Sequence, residues 1–314
     1  MKKISVLVPC YNEEQVLPLF VQAIQPILAD KRYEWEVLLV DDGSTDNTLS
    51  VMRSAHEADE RFHYIELSRN FGKENALLAG LDYVQGDAVV IMDSDLQHPV
   101  SVIPEMIEQW EAGYDDIYAR RKTRGHESML RRIMTRCYYR LLQSLSETNV
   151  YPNVGDFRLL DRACIDALRQ MRETDRYTKG MYAYIGFRKQ YIDFYQEDRV
   201  AGTSKWGSGK LFRLAIDGLL SSSIKPLQLS TKIGTVVSFA AFIYLLYVLV
   251  KALIWGDPVR GFPTLIIVIL FLGGLQLLSI GILGEYIGRV FHEAKRRPTY
   301  FVRTYNGKKP SQHS

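Results

Sequence analysis

The chain has 314 residues, 47% of them hydrophobic and 24% charged, with a net charge of +3. That length is enough for one large core or two smaller units, and the near-neutral balance gives no reason to expect a nucleic-acid partner. Cys10, Cys137 and Cys164 are odd in number and far apart, which speaks against a disulfide framework or a zinc cluster and for reduced thiols.

Residues 4–8 (Ile-Ser-Val-Leu-Val) have the pattern of a short buried strand ended by Pro9, and residues 13–28 have helical character. The apolar run after Lys2 and Lys3 is too short for a signal peptide. A second strand is expected over 36–40, stopped by Asp41-Asp42-Gly43-Ser44, and Asp46 opens a helix to about residue 58. Residues 62–67 read as a third strand, 74–84 as a helix and 88–92 as a fourth strand. Strands alternating with helices at this spacing predict an α/β fold with a mostly parallel, Rossmann-like sheet. Ligands of such sheets bind beyond the carboxyl ends of the strands. Residues 9–13, 41–44 and 93–97 all fall at those ends.

Further along, 117–119 is a short strand candidate, and 128–146 looks helical with Arg131, Arg132, Arg136 and Arg140 on it. A helix is expected over 161–172, and 210–222 has the composition of an amphipathic segment lying on a membrane. Residues 233–250 and 264–284 carry no charge and would span roughly 27 and 31 Å as helices, close to the hydrocarbon thickness of about 30 Å. They predict two transmembrane helices. Lys225 and Lys232 precede the first, and Lys295, Arg296 and Arg297 follow the second. By the positive-inside tendency both termini lie in the cytoplasm. The expected organisation is therefore a soluble domain over 1–207, a juxtamembrane segment over 208–231, a two-helix membrane domain over 232–291 and a tail over 292–314. Gly281, Gly284 and Gly288 offer a small-residue surface for packing helices of a homo-oligomer.

Asp93-Ser94-Asp95, at the end of the fourth strand and followed by Gln97-His98, carries the most chemistry. A hard divalent ion prefers oxygen ligands, and Mg²⁺ is usually held by one or two carboxylates plus substrate phosphates. Asp93, Asp95 and Gln97 are the candidate metal ligands, Mg²⁺ or Mn²⁺ the ion, and His98 a structural residue. Tyr11, Asn12 and Glu13 after the first strand suit a base or ribose, though an ordinary turn uses the same residues. Asp41 and Asp42 likewise fit either a nucleoside contact or a plain turn. Arg69 or Lys73 can meet a diphosphate, and Asp156 is an acid in a segment poor in acids. Arg199, Ser204 and Lys205 combine cations, a hydroxyl and flexible backbone. They can wrap an anionic head group or simply face acidic lipids.

Taken in order, these motifs resemble the inverting glycosyltransferases of family 2, which have the GT-A fold. Within the family they look most like the polyprenyl-phosphate glycosyltransferases, a group that includes dolichyl-phosphate mannose synthases and the bactoprenol glucosyltransferases of O-antigen modification. The resemblance extends through Gly256-Asp257-Pro258 and Leu283-Gly284-Glu285-Tyr286 in the apolar half. It implies that Pro9, Tyr11, Asn12, Glu13, Asp41, Asp42, Lys73, Asp93 and Ser94 hold the nucleotide, and that Asp95 and Asp156 are catalytic. Arg120, Arg131 and Thr135 would receive a lipid phosphate, with Arg199, Ser204 and Lys205 closing over it. The partners implied are UDP-glucose, undecaprenyl phosphate and the inner (cytoplasmic) membrane. Many members carry Glu-Asp where this chain has Gly155-Asp156, which puts the role of Asp156 as a base in question. Another sugar on the same lipid, or a membrane-anchored nucleotide-binding module without turnover, are the alternatives left open.

Overall fold

A computed structural model describes residues 1–122, 154–174, 176–195, 261–307 and scattered positions from 234 to 247. Residues 1–122, 154–195 and 297–307 belong to one compact unit, and the described residues from 234 to 296 belong to another.

The first unit is built on an eight-stranded sheet. Its elements are β1 (Lys2–Cys10), α1 (Leu17–Leu28), β2 (Tyr33–Asp41), α2 (Thr48–Ala58), β3 (Phe62–Leu67), α3 (Lys73–Tyr83) and β4 (Ala88–Ile91). A short 3₁₀ turn then leads into α4 (Ile103–Glu111), β5 (Asp116–Lys122), β6 (Val154–Asp161), α5 (Arg162–Gln170), α6 (Thr178–Tyr184) and β7 (Lys189–Tyr195). The last strand is β8 (Val302–Tyr305). The sheet order is β7-β5-β6-β4-β1-β2-β3-β8.

Strands β3, β2, β1 and β4 are parallel, as their continuous apolar runs require of strands covered on both faces. Ile4, Val6 and Val8 face one apolar layer with Leu17, Phe20 and Ile24 of α1; Leu7, Leu38 and Val40 face the other with Ala76, Leu77 and Ala79 of α3. Gly80 lets α3 lie close to the sheet, since a Cβ there would fall 2.1 Å from a methyl of Leu7. After β1 the chain winds outward through β2 to β3, whereas β4 lies on the other side of β1. The crevice beyond the carboxyl ends of β1 and β4 is thus the topological switch point of the sheet.

The first helix starts at Leu17 rather than at residue 13, because residues 12–14 are spent on hydrogen bonds to the loop after β2 and to the first residue of α2. Strands β6 and β7 were not anticipated, nor was α4, although its Ile103, Met106, Ile107 and Trp110 have helical spacing and are buried. Within the tail expected over 292–314, Val302–Tyr305 pairs antiparallel with β3 as an edge strand. Tyr300, Val302 and Tyr305 are partly buried against the apolar layer to which α3 contributes.

In the second unit, α7 (Phe262–Ala294) is a 33-residue helix, about 50 Å long at 1.5 Å per residue. It is the one helix among the described residues long and apolar enough to cross a membrane, by its window Phe271–Ala294 with a mean hydropathy of 1.3. Leu265, Phe271, Leu277, Ile280 and Ile287 are exposed on it, so it is not the core helix of a folded unit. Of the other expected span, 233–250, the described positions are helical and the rest lie outside the described residues. The expected helices over 128–146 and 210–222 also lie outside them.

Candidate active site

Three loops meet at the switch point, and hydrogen bonds lace them together. Asn12, in the left-handed region at φ 54°, donates its N–H to Ser44 Oγ at 2.9 Å, and its Oδ1 accepts from the Thr45 N–H at 2.8 Å. The Glu13 N–H donates to Thr48 Oγ1 at 2.8 Å. Asn12 therefore ties the β1 loop to the β2 loop instead of capping a helix. Tyr11 stands just past β1 and is exposed, while Pro9 pairs with Val40 inside the sheet.

Asp41 and Asp42 are both buried, and burial raises both carboxyls above their ordinary range. Asp41 accepts from the Ser44 N–H at 3.2 Å. Asp42 accepts from the N–H groups of Phe71 (2.7 Å) and Gly72 (3.0 Å), one on each oxygen. It thereby fixes the loop over 69–73, and a nucleoside would meet only its remaining lone pairs. Gly43 permits this junction: at φ +66° a Cβ would lie 2.4 Å from the carbonyl carbon of Arg69.

That loop delivers Lys73, the first residue of α3, to the centre of the site. Its ammonium lies 2.6 Å from Asp93 Oδ1 and 2.9 Å from Asp156 Oδ2. Sheet register explains the meeting. Strands β4 and β6 are antiparallel with Ile91 opposite Arg158, so extending that register past the end of β4 sets Asp93 opposite Asp156. Burial pulls the Lys73 ammonium down, but the two carboxylates outweigh it and hold it well above its ordinary value. Burial pushes Asp156 up, but Lys73 and Lys179 outweigh that and hold it below the ordinary carboxylate range. The Oδ1 of Asp156 is buried without a hydrogen-bond partner.

Next to this pair stands Glu74, which sequence reasoning passed over. Its Oε2 accepts from the N–H and the hydroxyl of buried Thr178 at the start of α6. Burial, reinforced by the negative charge of Asp156, raises its carboxyl to about 7. The one signal available was an acid in the first turn of a predicted helix, which ordinary helix electrostatics already explains. Lys179, missed as well, follows Thr178 on the same short helix.

Asp95 and Gln97 share a tight turn around Leu96, whose φ of 56° is costly for a branched side chain. The turn lets the Gln97 N–H donate to Asp95 Oδ1 at 3.2 Å. Ser94 is buried, and the His98 ring stacks on Phe157 with centroids 4.8 Å apart. Among the described residues no group of three or more His, Cys, Asp or Glu side chains is gathered to hold a metal by itself. The oxygen donors of Asp93, Asp95 and Gln97 nevertheless suit a hard divalent ion that shares ligands with a phosphate. The partnerless oxygen of Asp156 leaves acceptor capacity beside them.

Arg120 lies on β5 opposite Val154, two residues from Asp156 along β6. It is engaged by Asp193 of β7 through both carboxylate oxygens, at 2.7 and 3.0 Å, and stacks on Tyr191 at 3.9 Å. Arg131, Thr135, Arg199, Ser204 and Lys205 lie outside the described residues. Cys10 and Cys164 are buried thiols, and burial raises both.

An α/β sheet with paired acids at its switch point fits an enzyme that handles a nucleotide, and comparison with known proteins makes the class definite. Residues 5–169 match glycosyl transferase family 2, and residues 225–290 match the GtrB C-terminal hairpin. The chain is a glycosyltransferase, and it belongs to family 2. It is 40% identical over 301 residues to the bactoprenol glucosyl transferase of Shigella phage SfV, covering 96% of this chain and 98% of that one. It is 40% identical over 303 residues to the putative glycosyltransferase CsbB of Bacillus subtilis (strain 168), covering 96% and 92%. Among solved structures, the glucosyl-3-phosphoglycerate synthase of Mycobacterium tuberculosis in complex with Mn²⁺, UDP and glucosyl-3-phosphoglycerate is 19% identical with a TM-score of 0.49. That alignment covers 70% of this chain and 80% of the other, a likeness too slight to assign any residue or ligand.

Proposed function

We propose that this chain transfers glucose from UDP-glucose to undecaprenyl phosphate, with inversion, at the cytoplasmic face of the cytoplasmic membrane, and that the product serves O-antigen or other cell-envelope glycosylation. The observation that carries the reading is the Lys73 ammonium held between Asp93 and Asp156 at the switch point. The printed name of the phage relative supports the glucosyl group and the lipid. The hairpin match over 225–290 supports a pair of helices, and the exposed apolar surface of α7 supports that helix as one of two spans.

The chemistry follows from the acceptor. A phosphate monoester has a second pKa of about 6, so at neutral pH its oxygen is already anionic and needs no base to attack. That oxygen forms the new bond to the anomeric carbon as the bond from this carbon to the diphosphate breaks and UDP departs with the electron pair. Asp156, kept ionised by Lys73 and Lys179, orients the donor and the cation rather than removing a proton. Lys73 offers positive charge where the diphosphate accumulates negative charge. A divalent ion, Mg²⁺ or Mn²⁺, held by Asp93, Asp95 and Gln97 would neutralise the diphosphate when bound. Tyr11, Asn12, Glu13, Asp41 and Asp42 form the wall for the nucleoside. Arg120, with Arg131, Thr135, Arg199, Ser204 and Lys205, meets the lipid phosphate. Glycines 281, 284 and 288, with open space around each, are the surface on which a homo-oligomer packs.

The test is a donor screen on the full-length protein in detergent, with undecaprenyl phosphate and a panel of UDP- and GDP-sugars, read by the mass of the lipid product. The expected result is a hexose adduct from UDP-glucose, with UDP release that requires the lipid phosphate and stops on chelation. An adduct from another donor replaces the sugar assignment, and UDP binding with no lipid product overturns the reading.

A further inference from the structure

We infer that the segment following α7 positions the donor site, with Phe301 and Tyr300 as positioning residues for Lys73. The inference rests on reading residues 69–73 as part of that site.

The chain leaves α7 at Ala294 and enters the sheet at Val302. There β8 pairs with β3, with Ile65 opposite Tyr305 and Leu67 opposite Val302. The ladder continues one residue further, because the Ser68 N–H donates to the Phe301 carbonyl at 2.9 Å. The edge strand therefore reaches the root of the 69–73 loop. On that loop the Phe71 ring lies 6.2 Å from the ring of Phe301, and the Arg69 guanidinium stands 4.0 Å from the Phe71 ring. The Phe71 N–H is one of the two held by Asp42, and Lys73 follows two residues later.

The same segment grips the far end of α3. The Tyr300 hydroxyl donates to Asp82 Oδ2 at 2.5 Å, and Arg172 holds both oxygens of Asp82 at 2.6 and 2.8 Å. Tyr305 meets Tyr83 edge-on with centroids 4.7 Å apart. The helix that presents Lys73 is thus anchored at its entry loop and at its last turn by a segment from the other end of the sequence. A displacement of about 1 Å at a reacting centre can cost about a hundredfold in rate, so such anchorage has direct catalytic value.

The test compares wild type, Phe301→Ala and Phe301→Tyr as full-length proteins in detergent, by residue-resolved amide hydrogen exchange and by steady-state kinetics. With alanine, the Phe71 and Gly72 amides exchange about tenfold faster while the amides of β1 and β2 keep their rates. The KM for UDP-glucose rises about fivefold, the KM for undecaprenyl phosphate does not move, and tyrosine restores both measures. Tyr300→Phe, which keeps the ring and removes only the hydroxyl, speeds exchange at the last turn of α3. Unchanged Phe71 and Gly72 amides in Phe301→Ala overturn the inference. Uniformly faster exchange across the sheet with both KM values altered also overturns it, since that is general destabilisation. If wild type makes no glycosylated lipid, the proposed function fails while the exchange data still decide whether the segment holds the loop.

Discussion

Lys73 sits between two acids, and a third, Glu74, stands beside them with a different protonation habit. Asp156 touches the ammonium at 2.9 Å and stays ionised, whereas burial leaves Glu74 to take up a proton near pH 7. Two consequences belong to these residues. Asp156→Asn should lower kcat by about a hundredfold at pH 6 and at pH 8 alike, because a group ionised throughout that range acts by charge and position. Near-full activity of the variant at pH 8 would instead mark Asp156 as a base. Glu74 has a folded-state pKa of about 7 against an ordinary 4.5, so the folded state holds a proton that the unfolded chain has released between those values. Its contribution to stability is full below about pH 4.5 and is lost as pH rises to about 7. Glu74→Gln, which keeps an acceptor for Thr178, should remove that part of the decline. Thermal unfolding of both proteins at pH 5 and pH 7.5 measures the difference, and identical pH dependence would contradict it.

At the scale of elements, β6 is held to β5 by a buried ion pair. Arg158 donates to both oxygens of Asp116 at 3.1 Å, both side chains are buried, and the guanidinium lies 3.5 Å from the ring centre of Tyr182. Removing one partner strands the other charge, so Asp116→Ala should destabilise the fold by about 3–5 kcal/mol in denaturant titration. Since β6 carries Asp156, the same change should loosen the site. The junction of the β2 loop with the 69–73 loop is equally specific. Gly43→Ala places a methyl against the backbone of Arg69 in a left-handed conformation, at a cost of at least about 1–2 kcal/mol, and should weaken UDP binding as measured by calorimetry. These elements were only partly legible beforehand. The parallel strands β1 to β4 announced themselves as apolar runs closed by turn residues, because both of their faces are buried. Strand β6 did not, since Asp156, which pairs with Lys73, and Arg158, which pairs with Asp116, interrupt its apolar pattern.

For the whole molecule, the chain runs from the sheet into the apolar helix α7 and then returns to the sheet as β8. The exposed apolar side chains of α7 require a nonpolar surrounding, so the protein should stay in the membrane fraction through a high-salt wash and leave it only with detergent. Release by salt alone would mean a peripheral attachment.

Chain order, composition and periodicity determined the α/β class, the switch-point location of the acids and the presence of long charge-free stretches, because those properties are local or repeat at short intervals. Tertiary structure alone decided that Lys73 bridges Asp93 and Asp156, that Asp42 holds a loop, that Glu74 lies beside the pair and that residues 302–305 close the edge of the sheet. Each of these depends on register between strands and on contacts between residues tens to hundreds of positions apart, for which the amino-acid pattern carries no local signal.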